Sequence, residues 1–523
     1  MIHNIRLRLS PRDASSEAFY RDRAAQKLGI PVNDITQCHI LRRSIDARKR
    51  QIWIDISMDV YVGEEMPEKQ AVSHYQDVSQ APEVIIVGAG PAGLFAALRC
   101  LEIGLKPILL ERGKEVSQRK KDIAALNTQH EVNVNSNYCF GEGGAGTFSD
   151  GKLYTRSLKR GNVKGILQTL VLHGADNDIL VDAHPHIGTD KLPAVISNMR
   201  ESIRQYGGEV RFEHKVSGLV INDGELKGVK VESGATLLGP VILATGHSSR
   251  DIFRMLYKEG VTIEAKPFAV GVRVEHPQKL IDQIQYHNKD GRGKYLPAAT
   301  YNFAKQVQGK GVYSFCMCPG GIIVPSATEK EQVVVNGMSN SKRNSRWANS
   351  GIVVEVAPHL DKAQDKNPLI GIEYQEQLEH LAYINGGQSQ VAPAQRLVDF
   401  VENRLSYDLP ESSYIPGLVS SPMHMWLPEE IRKPLQEGFK LFGRSARGYL
   451  SNEAIIIGVE TRTSSPVRVV RDRQTLESIN TTNLFPCGEG AGYAGGIVSS
   501  AIDGVRCAEA VAKKVLASSP SQE

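Results

Sequence analysis

Four apolar residues, Val84-Ile85-Ile86-Val87, run directly into Gly88-Ala89-Gly90-Pro91-Ala92-Gly93, and this junction constrains the fold more than any other stretch. An unbroken apolar run of this length suits a parallel strand covered on both faces. The small and apolar residues from Leu94 to Leu101 continue it as a helix. In the Gly-x-Gly-x-x-Gly pattern Gly88 permits the tight turn, Gly90 lets main-chain N–H groups approach a diphosphate, and Gly93 lets helix and strand pack closely. Those N–H groups and the positive end of the helix dipole stabilise phosphate charge. A second strand, Pro107 to Leu110, ends in Glu111, about twenty residues on, where a carboxylate accepts hydrogen bonds from ribose hydroxyls. Its charge disfavours a 2′-phosphate, so the segment suits FAD or NAD rather than NADP.

With 523 residues the chain is too long for one ordinary domain. Residues 1–78 read as a small α+β unit. Ile5 to Leu9 alternates apolar and charged residues, Ser15 to Leu28 suits a helix capped at Ser15 or Ser16 and stopped by Gly29, and Cys38 to Ile45 and Ile52 to Val62 read as strands. The polar stretch Glu64 to Gln80 is the expected linker. Residues 79–254 form the first part of a dinucleotide-binding α/β domain. In it, strands at Val210 to Phe212, Val216 to Ile221 and Leu226 to Val231 suggest an antiparallel meander, and Val241 to Ala244 another strand. Residues 255–454 read as an inserted α+β substrate domain, with strands at Ala269 to Val274, Gly311 to Cys316, Gln332 to Val335 and Ile352 to Val356, and a helix at Tyr374 to Ile384. Residues 455–523 return to strand, glycine turn and helix, and end in a Ser/Pro tail. The expected fold class is thus α/β, a Rossmann-type three-layer domain with a β-meander, an insertion and the N-terminal unit.

Net charge is only +4, which argues for neither nucleic acid nor anionic membrane as a partner of the whole chain. Arg42, Arg43, Arg48, Lys49 and Arg50 nevertheless cluster, as a solvated hairpin surface or a contact for RNA or an acidic partner. No apolar stretch is long enough to span a bilayer, and the start, MIHNIRLRLS, is too charged for a secretory signal. Seven cysteines, an odd number, do not suit a disulfide framework and fit a reducing cytoplasm.

FAD is preferred over NAD because of two later segments. Val241-Ile242-Leu243-Ala244-Thr245-Gly246 is a strand ending in Ala-Thr-Gly, and Leu484-Phe485-Pro486-Cys487-Gly488-Glu489-Gly490 is a strand entering a glycine turn with a carboxylate. This order resembles the glutathione-reductase-like flavoproteins. The resemblance implies that the Ala244–Gly246 segment lies near the phosphate loop. It also implies that Gly488 and Glu489 contact the ribityl and phosphate part, and that the helix after Gly495, Gly496 and Ile497 faces the isoalloxazine. Glu489 stands where that class has Asp. Tyr138-Cys139-Phe140-Gly141-Glu142-Gly143-Gly144-Ala145-Gly146-Thr147-Phe148-Ser149-Asp150-Gly151-Lys152 is similar to the flavin loop of a bacterial family of FAD-dependent dehydrogenases. The same holds for Phe315 to Gly321, Asn336 to Ser339 and Gly490 to Ile497. The resemblance spans nearly the whole chain. Pro91, Ala92, Arg112, Gly143 to Thr147 and Val216 complete the expected FAD contacts.

The resemblance implies an oxidoreductase acting on a small organic molecule with a separate electron donor or acceptor; a flavin-dependent RNA-modifying or RNA-binding protein is the alternative. A second dinucleotide motif is missing, so NAD(P)H would serve only as a transient donor. For proton transfer the candidates are Arg273 and His276 with Glu275, the first and last on one face of a strand by alternation; a surface salt bridge with an exposed histidine is the plain alternative. Arg462 could anchor an anionic substrate or pair with Glu460. Cys316 and Cys318, on one strand face by alternation, could be redox-active, line the cavity or pack in the core; two ligands are too few for structural zinc, and no metal is expected.

Overall fold

The structure is a computed structural model that describes residues 1–66, 74–155, 161–357 and 367–517. Within the expected linker, residues 67–73 lie outside the described residues, as does the tail at 518–523. At the N-terminus β1 (Ile2–Leu9), α1 (Glu17–Leu28), β2 (Ile35–Asp46) and β3 (Trp53–Val62) form an antiparallel sheet of order β1-β3-β2 with one helix. Alternation sorts its faces: Ile5, Leu7 and Leu9 pack with Ile54, Ile56 and Met58 against Ala24 and Ala25 of α1, while Arg6 and Arg8 face out. Gly29 closes α1 at φ +68°, a conformation that glycine adopts without steric cost. Arg43 of β2 pairs with Asp182 at 2.7 Å and Asp178 at 3.2 Å, tying this unit to its neighbour, and Arg48 pairs with Asp46.

The next segment carries β4 (Glu83–Val87), α2 (Pro91–Glu102), β5 (Lys106–Leu110), α3 (Val116–Thr128), α4 (Val163–Leu172), α5 (Leu192–Gln205), β6 (Glu209–Arg211), β7 (Val216–Asn222), β8 (Glu225–Val231), β9 (Thr236–Leu238), β10 (Val241–Leu243) and α6 (Arg250–Lys258). The meander differs from the sequence expectation. The strand at 209–211 pairs parallel with β5 in the main sheet, and β7-β8-β9 form the antiparallel meander, whose third strand, only three residues long, is too short to stand out in the sequence.

The chain continues through β11 (Ile263–Ala265), β12 (Phe268–Pro277), α7 (Gln278–Tyr286), β13 (Ala304–Val307), β14 (Lys310–Cys318), β15 (Gly321–Pro325), β16 (Val335–Ser339), β17 (Trp347–Val356), α8 (Ile370–Asn385), β18 (Ala392–Arg396), α9 (Leu397–Val401), β19 (Leu418–Ser420), α10 (Met423–Trp426), α11 (Glu429–Ser445) and β20 (Ile455–Glu460). Seven of these strands form one sheet of order β13-β14-β17-β12-β20-β18-β19. β20, expected with the returning segment, is hydrogen-bonded into this sheet between β12 and β18 instead. Finally β21 (Val467–Val469), β22 (Leu484–Pro486) and α12 (Ile497–Ala517) return to the first part.

β22, β10, β4, β5 and β6 form a five-stranded sheet in which every pairing is parallel. Val84 and Ile86 of β4 pack on the side of α2, α5 and α12, whereas Ile85 and Val87 pack on the side of the meander. The strand is therefore apolar throughout because both its faces are covered. Parallel pairing brings the carboxyl ends of β4, β10 and β22 to one edge, the edge at which such sheets bind ligands. Among the described residues no helix is long and apolar enough to cross a membrane.

Candidate functional site

At the end of β4 the backbone turns through Gly88 at φ +106°, and a Cβ there would stand 2.7 Å from the Ala244 carbonyl oxygen. A Cβ on Gly93 would lie inside the van der Waals distance of the Gly88 carbonyl, so this glycine is what lets α2 sit on β4. Gly90 is different. It caps α2 at ordinary dihedrals, and its Cβ would meet nothing closer than Gly144 Cα at 4.0 Å. The space above the helix N-terminus is open, as a diphosphate requires.

Glu111 follows β5 as expected, and its buried carboxylate joins three segments. Oε2 accepts from Ala89 N, and Oε1 accepts from Gly113 N and Gly141 N, all at 2.9 Å. The Gly141 contact, with Gly143 N donating to Ala89 O at 2.8 Å, holds the glycine-rich loop against the phosphate loop. A second clamp went unread in the sequence. The Arg119 guanidinium, fully buried, donates to the carbonyls of Asn137, Tyr138 and Glu142 and to Thr147. Burial lowers its pKa to about 10, so it stays charged at neutral pH. Arg119→Met would strand those carbonyls. It is expected to cost about 3 kcal/mol, read as a lower Tm with weaker flavin retention.

A cavity of about 380 Å³ opens at this edge, within the range of ligand pockets. Its wall includes Gly88, Gly90, Pro91, Ala92, Glu111, Arg112, Gly144, Ala145, Gly146, Val216, Ala244, Thr245, Gly246, Glu489, Gly495, Gly496 and Ile497. Residues from six separate stretches of sequence thus meet around one space. Four of the expected contacts stand behind the wall: Gly93 under the helix, Gly143 and Thr147 inside the loop, and Gly488, whose N–H donates to Asp503 at 2.8 Å. Gly495 and Gly496, before α12, have no atom within 4 Å of where a Cβ would stand, and so leave the mouth of that helix open. These donors, this open helix end and the Glu111 carboxylate beside them fit a flavin adenine dinucleotide.

The proposed chemical groups fare less uniformly. Arg273 is fully buried behind the wall, bound to Glu460 at 2.8 and 3.0 Å and to Asn349 at 2.7 Å. His276 is also fully buried; its Nε2 bonds the Tyr449 carbonyl at 2.8 Å, and burial lowers its pKa to about 4. Glu275 bonds Ser413. None of the three reaches the cavity, because β12 is central in its sheet and covered on both faces. Arg462 does reach the wall, but its partner is Glu379 at 3.0 and 3.1 Å, not Glu460, and Thr328, Gln332 and the Cys139 sulfur take its remaining donors. Its fork is therefore already occupied.

Cys316 lines the cavity, whereas Cys318 lies buried behind it. Lys152, His247 and Asp150 also belong to the wall. His247 follows the Ala-Thr-Gly segment, and Asp150 and Lys152 end the quoted glycine-rich motif, so all three were within reach of sequence reading. Glu489 is raised to about 7 by burial, with Cys316 adding to the effect. His247 stands 3.8 Å from it and is lowered to about 3, first by burial and then by Arg462 and Arg250. The histidine is neutral at pH 7, and Glu489 is a wall group whose raised value suits proton exchange there. Elsewhere Cys487, Asp503 and Cys507 bring three potential metal-ligand atoms within 4.8 Å, but Arg471 grips Asp503 at 2.7 and 2.9 Å and supplies the positive charge itself.

Comparison with known proteins supports FAD as the cofactor. Residues 83–122 match an FAD binding domain, 267–463 match the C-terminal domain of an FAD-dependent protein family, and 1–61 match a domain of unknown function. An uncharacterized protein of Clostridium beijerinckii is 41% identical over 511 residues, covering 94% of this chain and 95% of its own. Among solved structures, a flavoprotein/dehydrogenase from Cytophaga hutchinsonii is 11% identical with a TM-score of 0.37, over 84% of this chain and 79% of that one. A geranylgeranyl bacteriochlorophyll reductase-like protein from Thermoplasma acidophilum is 12% identical with a TM-score of 0.35, over 83% and 79%. Those two likenesses are too loose to bear on the chemistry. The Clostridium relative matches nearly the whole chain, and with the two FAD matches it shows that the chain belongs to a family of FAD-dependent proteins.

Proposed function

We propose that this protein is an FAD-dependent oxidoreductase of the dehydrogenase type, moving hydride or electrons between its flavin and a small organic substrate. The observation that carries the reading is the convergence, on one cavity, of the α2 N-terminus, the Glu111 carboxylate, the Ala244–Gly246 segment and the open mouth of α12. The bound flavin supplies the electron transfer, and the protein supplies position, charge and protons. In this reading the amides at Gly90 to Ala92 hold the diphosphate and Glu111 holds the adenosine ribose. Glu489 stands toward the ribityl chain, in the manner of the glutathione-reductase-like class, and the α12 N-terminus stabilises negative charge on the ring. Its raised pKa also makes Glu489 the group to deliver or remove a proton at the cavity.

NAD(P)H fits only as a transient donor, because one phosphate loop is present in the sequence and FAD takes it. All seven cysteines are free, which supports a reducing, cytoplasmic setting. The test is direct. Protein purified without added cofactor is expected to show a flavin spectrum and to release FAD, not FMN, on denaturation. Under anaerobic conditions that spectrum should bleach with NADH, NADPH or a small organic donor and recover with an electron-accepting dye. A protein that is colourless and takes up no added FAD would sink the reading.

A further inference from the structure

At the end of β14 stand two thiols, Cys316 on the cavity wall and Cys318 behind it, for which the proposed reaction has no use. Phe315 opposes Gly351 and Cys318 opposes Asn349, so three residue steps on β14 face two on β17 and the strand bulges between them. Cys316 sits in this bulge at φ +46°, a left-handed conformation uncommon for a residue with a side chain and concentrated at functional sites. In a regular strand the two cysteines would lie about 6.6 Å apart along one face. The bulge folds them together: the Cys318 sulfur lies 3.3 Å from the Cys316 carbonyl oxygen, and its single proton can turn to that oxygen or to the Cys316 sulfur.

Cationic groups surround them. Lys152 Nζ is 3.9 Å from Cys318 Sγ, and Arg273 Nη1 is 3.4 Å from the Cys316 carbonyl oxygen. Asp150, Glu460 and Glu489 are the acidic neighbours, the first paired with Lys152 and Arg343 and the second with Arg273. The hydrogen bond from Cys318 holds the Cys316 thiol well below the usual range; burial opposes this, and Lys152 and Arg273 add to it. Cys318 keeps the proton and is pushed up by the same bond and by burial. A thiolate on the cavity side with a protonated thiol behind it is the arrangement from which a disulfide closes.

We propose that Cys316 and Cys318 are a redox pair that exchanges two electrons with the flavin in this cavity by closing and opening a disulfide. The inference rests on the FAD reading above. On closing, the two sulfurs bond, the Cys318 S–H breaks, and its proton leaves through the Lys152 and Glu489 side of the cavity. The electron pair passes to the oxidised flavin, which is reduced. Opening reverses each change, with reduced flavin as the electron source.

The experiment is an anaerobic reductive titration of the full-length flavoprotein, followed by alkylation and peptide mass measurement. The intact protein should accept about four electrons per flavin, and Cys316→Ser or Cys318→Ala about two, because the dithiol couple carries two. In the oxidised protein the peptide holding both residues should be two hydrogens lighter and resist alkylation. After reduction it should take two alkyl groups, with no change at Cys38, Cys100, Cys487 or Cys507. Uptake of about two electrons by the intact protein, with both thiols alkylated in either state, would overturn the redox pair and leave the flavin reading standing. A protein without a flavin spectrum would overturn both.

Discussion

Gly90→Ala is expected to give a folded but colourless protein, and Gly93→Ala a protein that keeps its composition of secondary structure but loses stability. The two substitutions are chemically the same and lie three residues apart. Gly90 has φ −76° and ψ −177°, which alanine adopts freely, and the added methyl would sit in ordinary contact with Gly144. Nothing in the protein resists it. The only thing it displaces is a ligand approaching the first amides of α2, so flavin affinity should fall roughly 100-fold, about 3 kcal/mol, with the Tm of the flavin-free protein unchanged. At Gly93 the methyl overlaps the Gly88 carbonyl, whose residue is tied to the sheet by its N–H bond to Leu110 O at 2.8 Å. Helix α2 must lift from β4, at a cost of about 3 kcal/mol or more. Flavin absorbance and thermal melting of the two variants measure the separation. Equal loss of both properties in both variants would mean that Gly90 serves packing and that the diphosphate lies elsewhere.

This separation also explains which parts of the site were legible in the sequence. Binding a diphosphate imposes a local requirement: a turn, two close approaches and a helix start within six residues, with an acid one strand later. Such requirements are written in adjacent residues, and Gly88, Gly90, Gly93 and Glu111, read as a unit, stand together in the structure. The side chains around the ring come from distant segments, where alternation tells which residues share a strand face but not what covers that face. Arg273, Glu275 and His276 were therefore read as exposed chemistry, although β17 and β20 flank their strand and both its faces are buried. Arg119 stands in Gln118-Arg119-Lys120-Lys121, where no local pattern shows that its head is enclosed by the carbonyls of 137, 138 and 142. Cys316 and Cys318 share a face in a flat strand, and only the bulge reveals that one faces the cavity and the other the core.

Glu379→Ala is expected to be among the most destabilising single changes in the chain. Its carboxylate has no exposure and accepts from Arg250 at 2.7 and 2.8 Å, from Arg462 at 3.0 and 3.1 Å, and from Thr461 at 2.6 Å. Burial by itself would raise its pKa. The attraction of Arg250 and then of Arg462 outweighs burial and holds it at about 2. Removing the acid leaves two guanidinium groups buried beside the cavity with one charge too many, which costs about 3–5 kcal/mol, a large share of an ordinary domain's stability. The sign with pH follows from the lowered value. A free chain titrates this group near 4.5, so its contribution is complete above pH 4.5 and is lost as pH falls toward 2, up to about 3 kcal/mol in all. Glu379→Gln keeps the shape without the charge, so its Tm should be low at pH 7 and should fall less than that of the intact protein between pH 5 and pH 3. Because Arg462 also forms cavity wall, flavin affinity should drop in the same variant, whereas a neutral lining at 379 with unchanged Tm would show that the two arginines are paid in hydration and not by this carboxylate.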